Sequence, residues 1–269
     1  MVPDRTRTRT RTRTRTSAGA GAGQGGFPTR PALTTAVFAV TFAVSVAALF
    51  SPALMDLFTR DLAQVRHGEW WRIVTPVLVQ SSGWGQLVFN MVGLAVVGAA
   101  LESRLSRRTW ALTYLLGGVG SIALGSVWHP HLLGGGSSDA VAALIGALAV
   151  LLVAPQTRAG SWPAQLYSVF FATYLTGLAL GGPVPAIVTG HLAIILWSIT
   201  RRAVSPARLS RACLAVVAVG GALMTLAEDG HGTGIVAGLA IGSLVLARRR
   251  RSSATAGVSG PLAASAGAS

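Results

Sequence analysis

Ser138 stands in the run Gly134-Gly-Gly-Ser-Ser-Asp-Ala-Val-Ala-Ala-Leu-Ile-Gly146, where small residues open an otherwise apolar stretch of helix length. A hydroxyl at the glycine-rich mouth of an apolar helix becomes a nucleophile only if a base stands beside it. Two histidines fall in apolar segments, His191 and His231. Neutral imidazole suits that work, because it titrates near neutrality and survives desolvation uncharged. An attacked carbonyl also needs donors aimed at the oxyanion it becomes. Asn90 carries one amide, and Gln86, four residues earlier on the same helical face, carries another. The backbone N–H of Ser138 belongs to a helix N-terminus, where orphan donors point outward.

Each of these residues also has a plain structural reading. A serine at a helix start serves as an N-cap, and Asp139 in the first turn suits the helix dipole. His191 is equally suited to bonding a neighbouring helix, and His231 to an interfacial place beside Asp229. His129 and His131 flank Pro130 in a short loop and read as solvated. The sequence has no His-x-x-x-His pair and one cysteine, Cys213, so neither a metal site nor a cofactor is expected.

The elements that must position these groups are membrane helices. Of the residues, 51% are apolar and 11% charged, against the roughly quarter charged in a soluble domain. Eight apolar spans are expected, at 33–54, 84–101, 109–127, 136–154, 163–181, 184–200, 210–227 and 231–247, several close to the lower limit for crossing a core about 30 Å thick. The formal charge of +14 is all arginine. Eighteen of the 22 arginines fall in segments that one topology places inside, with Arg60, Arg66 and Arg72 in a long outer loop at 55–83. That positive-inside bias predicts a multi-pass plasma-membrane protein with both termini cytoplasmic. It also explains the basicity without nucleic acid as a partner. Residues 1–32 form a low-complexity basic tail, expected to be disordered and to touch anionic lipid at about 1 kcal/mol per arginine; residues 248–269 are expected to be a second disordered tail. Span 33–54 is too long for a typical signal-peptide core.

Several motifs occur in a particular order: Glu69-Trp-Trp-Arg-Ile-Val-Thr-Pro76, Phe89-Asn-Met91, Leu101-Glu102 and Gly136-Ser-Ser138. Taken alone, the Trp-Trp segment reads as an interfacial anchor. In sequence, the motifs make residues 33–247 resemble the rhomboid family of intramembrane serine proteases. The resemblance implies an all-α polytopic bundle with a six-helix core, here extended by a hairpin. It implies that Ser138 attacks a peptide carbonyl, that a later histidine takes its proton with no carboxylate completing the dyad, and that transmembrane proteins are the substrates. His191 lies at the spacing a six-helix core implies. His231 opens a segment with Gly234, Gly238 and Gly242 every four residues, like the glycine pattern after the family's histidine; it is the favoured base, and its helix would follow the added hairpin. Gln86, Asn90 and Gly136 are the expected oxyanion and substrate residues. Two departures stand out: Gln86 replaces the family's usual histidine, and Asp139 its usual glycine. They support an alternative, a catalytically inactive relative that binds transmembrane helices. A transporter fits the glycine-broken helices loosely, but lacks mid-membrane ionisable groups other than the two histidines.

Overall fold

The computed structural model describes residues 31–154 and 162–258, and these are helical or in connecting turns. The basic tail 1–30 and the end of the C-terminal tail, 259–269, lie outside the described residues. The chain begins with α1 (Ala32–Phe50), which stops short of residue 54 because Pro52 cannot continue it. Ser51 then caps α2 (Pro52–Phe58), accepting from the Leu54 N–H at 3.3 Å. After α3 (Leu62–Arg66) come two single 3₁₀ turns, Trp70–Ile73 and Thr75–Leu78. The loop is tied from within by Arg72, which is 5% exposed. Its Nε donates to Glu69 Oε2 at 2.5 Å, and its Nη1 to the carbonyls of Asp56 and Thr59. Trp70 faces outward, whereas the Trp71 indole donates to Leu57 O at 3.3 Å. The expected interfacial anchor is therefore half loop core.

The second long segment comprises α4 (Trp84–Gly93), a π-turn at Leu94–Gly98, and α5 (Ala99–Glu102). A π-turn displaces the hydrogen-bond ladder, and the buried Trp110 indole donates to the Gly98 carbonyl at 3.0 Å. Glu102, 1% exposed, accepts from the Leu33 and Thr34 N–H groups at 3.0 and 2.8 Å and from the Thr34 hydroxyl at 2.7 Å. A carboxylate there satisfies orphan donors at the start of α1 and complements its dipole.

The remaining helices are α6 (Arg107–Trp128), α7 (Ser138–Leu152), α8 (Trp162–Gly181), α9 (Pro183–Ala203), α10 (Pro206–Leu226) and α11 (Gly230–Val258), the last running eleven residues past the expected boundary at 247. Among the described residues, eight helical segments thus occupy the eight expected spans. Six of them are long and apolar enough to cross a membrane, whereas α7 is a short apolar helix. Its position explains why it needs no lipid-facing length: all its residues but Asp139 are buried, between α6, α10 and α11. The exposed faces elsewhere carry Val40, Phe42, Leu115, Leu116, Ile195 and Ile199, as a bundle surrounded by lipid requires. An aromatic cluster of Phe89, Tyr167, Phe170, Phe171 and Tyr174 clasps α4 to α8. All described arginines except Arg60, Arg66 and Arg72 gather at the end of the bundle opposite Ser138.

Candidate active site

The chain enters α7 through a glycine run laid flat against the segment after the second 3₁₀ turn. The Arg60 N–H donates to Gly134 O at 2.7 Å, the Ser81 N–H to Gly135 O at 3.1 Å, and the Gly135 N–H to Ser81 Oγ at 2.8 Å. A β-carbon on Gly136 would press into the Gln86 amide and stand 3.3 Å from Ser138 Oγ. Glycine at 136 thus leaves open the space between these two groups. Behind it, the buried Gln80 amide donates to Ser137 Oγ at 3.2 Å and its oxygen accepts from Asn90 Nδ2 at 2.6 Å.

His231 reaches this point through a tight turn. Glu228 adopts φ 58°, at a cost of about 1 kcal/mol for an L-residue. The Asp229 N–H can then return to Met224 O at 2.9 Å and close α10. Asp229 at once starts α11, its Oδ1 accepting the His231 N–H at 2.8 Å. Below, Gly234, Gly238 and Gly242 face the backbone of Asp139, Ala143 and Ala147, so that α11 lies in parallel register with α7 at backbone-to-backbone range. Ser138 and His231 therefore stand at the same level, one at the head of each helix.

Their geometry is direct: His231 Nε2 lies 2.8 Å from Ser138 Oγ, across 93 residues of sequence. On the other side of the ring, Nδ1 lies 2.6 Å from Asp229 Oδ1. A carboxylate only accepts, so Nδ1 carries a hydrogen; when the ring is neutral, Nε2 presents its lone pair to the serine O–H, which then donates. Burial alone would raise the Asp229 carboxyl. The positive charge of the imidazole when protonated and two hydrogen bonds from His231 outweigh that and hold it below the usual carboxylate range. The Phe171 ring packs edge-on against the imidazole at 6.2 Å.

The pair opens into a cavity of about 410 Å³, whose wall includes Arg60, Gln86, Gly136, Asp139 and His129. Gln86 is held there by accepting the Ser82 N–H at 2.8 Å and donating to Gly135 O at 3.2 Å. Asp139 Oδ1 stands 3.9 Å from His231 Nε2. Arg60 donates from Nε to Leu132 O at 3.2 Å; burial lowers its guanidinium from the usual value, with the Asp139 charge opposing.

Three placements differ from the expectations. Asn90 does not line the cavity: it is fully buried, and its amide donates to Gln80. His191 lies exposed on α9, which packs chiefly on α8, and its Nδ1 meets the Ile187 carbonyl of its own helix at 2.7 Å. A carboxylate does meet the His231 ring. Asp229 had a legible signal, since an aspartate capping a helix accepts from the residue two positions on, and that residue is the histidine. Gln80 and Arg60 had none, because loop-to-loop contacts bring them in.

Fold and site define a polytopic helical membrane protein with a serine–histidine pair in a polar hollow near one end of the bundle. Residues 67–196, just under half of the chain, match the family model for the Rhomboid domain. The match contains Ser138 and His191 and ends ahead of α10 and α11. The chain is similar to two proteins of Bacillus subtilis (strain 168). It is 31% identical to YdcA over 86 residues, 30% of this chain and 41% of that protein. It is 31% identical to the rhomboid protease GluP over 129 residues, 46% of this chain and 25% of that protein. The chain thus spans less than half the length of each relative.

Proposed function

We propose that this protein is an intramembrane serine endopeptidase in which Ser138 is the nucleophile and His231 the general base. The 2.8 Å contact between Ser138 Oγ and His231 Nε2 carries this reading. As Oγ bonds to the scissile carbonyl carbon, its proton passes to Nε2 and the carbonyl π pair moves onto oxygen. The Ser138 N–H and the Gln86 amide are the donors nearest that oxyanion. The imidazolium then protonates the amide nitrogen as the C–N bond breaks, and water hydrolyses the acyl-enzyme by the reverse relay. None of these steps uses a metal or cofactor.

Substrates are transmembrane proteins that unwind locally, since a helix cannot present its carbonyl to a hollow lined by Gly136 and Gln86. The arginine distribution supports a cavity on the outer side of a plasma membrane, with both termini cytoplasmic. In the test, purified protein in detergent is given a single-span substrate and a fluorophosphonate probe. Cleavage and labelling that both vanish in Ser138→Ala support the protease. One observation favours a second reading, a helix binder without catalysis: Asp139 puts a carboxylate 3.9 Å from Nε2, beside the forming oxyanion. Folded protein that resists the probe at every pH supports that binder.

A further inference from the structure

We propose that Asp229 is a positioning residue that makes the site a Ser138–His231–Asp229 relay, rather than the carboxylate-free pair implied by the resemblance. The proposal rests on the protease reading above and adds to it. Capping of α11 accounts for the Asp229 Oδ1 contact with the His231 N–H at 2.8 Å. It does not account for the ring of the same histidine closing on the same oxygen at 2.6 Å. The imidazole is thereby held at both nitrogens, by Asp229 at Nδ1 and Ser138 at Nε2. The other nearby carboxylate, Asp139, stands 3.9 Å away on the serine side and does not address Nδ1. Glu228 turns its carbonyl to His129 Nε2 at 3.1 Å, leaving the Nδ1 face to Asp229.

The arrangement has a defined chemical consequence. A ring that keeps its hydrogen on Nδ1 has its lone pair on Nε2, where the serine proton must go. When that proton arrives, the ring becomes a cation whose Nδ1–H points at a carboxylate. The bond becomes charge-assisted and strengthens as the transition state forms. Asp229 takes no proton itself; it orients the ring and stabilises its charge. The tight turn at Glu228 serves this geometry, because it places the cap and the carboxylate in one residue.

The test compares Asp229→Asn and Asp229→Ser with wild type in the full chain in detergent. Both replacements cap helices well, but asparagine brings no charge and serine is too short to reach the ring. In Asp229→Asn we expect kcat and the rate of fluorophosphonate labelling of Ser138 to fall about 10²- to 10⁴-fold, with KM and the thermal midpoint nearly unchanged. The ¹⁵N spectrum of His231 is expected to show the Nδ1–H tautomer in wild type and to lose it in Asp229→Ser. Wild-type turnover and labelling in both variants overturn the relay and leave the protease reading intact. Loss of activity that tracks a fallen thermal midpoint also overturns it, reducing Asp229 to a cap. An unreactive wild type instead defeats the protease reading, and an Nε2–H tautomer in that protein overturns the relay as well.

Discussion

The helices that carry His191, eight residues inside α9, and His231, at the head of α11, differ above all in what they touch. α9 and α11 start from the same end of the bundle, each opened by glycine (Gly182 and Gly230), and run in the same direction. α9 lies against α8 and presents Ile187, Val188, Leu192 and Ile195 outward, and its histidine bonds its own backbone. α11 turns Gly234, Gly238 and Gly242 onto the backbone of α7, and its histidine meets Ser138. Helices in lipid gain nothing from hiding apolar surface from one another, so close approach depends on small residues and van der Waals contact. Which histidine reaches the serine is therefore set by the face below it.

The sharpest way to break this comparison is to remove each ring. His231→Ala should lower cleavage by about 10⁴-fold or more, and His191→Ala should leave it within about twofold, measured as kcat on a transmembrane substrate. The reverse outcome would move the base to α9. Next comes the glycine face itself. Gly238→Val meets the Ala143 carbonyl and must push α11 off α7. An ångström of displacement at the dyad should cost about 10²-fold in kcat, visible alongside slower probe labelling. Gly190→Ala meets first the Phe170 ring and the Tyr174 side chain, away from the α7–α11 seam; it should stay within about threefold of wild type. Gln86→Ala should cost about 10- to 10²-fold in kcat at constant KM, since a second donor remains in the Ser138 N–H. Smallest for catalysis is Glu102→Ala, far from either histidine. Stripping the cap from α1 should cost roughly 1–3 kcal/mol of stability, read as a lower thermal midpoint, with activity per folded molecule unchanged.

Much of the architecture was legible because a membrane leaves few options. Runs of apolar residues between arginines mark helices, and Pro52, Pro183 and Pro206 mark where new ones begin. Gly136 and Ser138 were legible through small residues at a helix mouth, and His231 through the four-residue glycine period. Asn90 misled: an amide facing inward on a helix carries no mark of whether its partner is a cavity or another amide, and Gln80 comes from a loop with no periodic signal. Arg72 was equally hidden, since its neighbours Trp70 and Trp71 suggest an interface while its guanidinium holds the loop from inside.

Composition, arginine placement and hydrophobic period determined that this chain is an all-helical membrane bundle, because each is a property of a segment facing lipid or water on its own. Tertiary structure alone decided that α9 lies outside the serine's reach, and that Asp229, His231 and Ser138 form one line. Those facts depend on which helix faces make contact, and on a turn at Glu228 whose left-handed backbone no local propensity predicts.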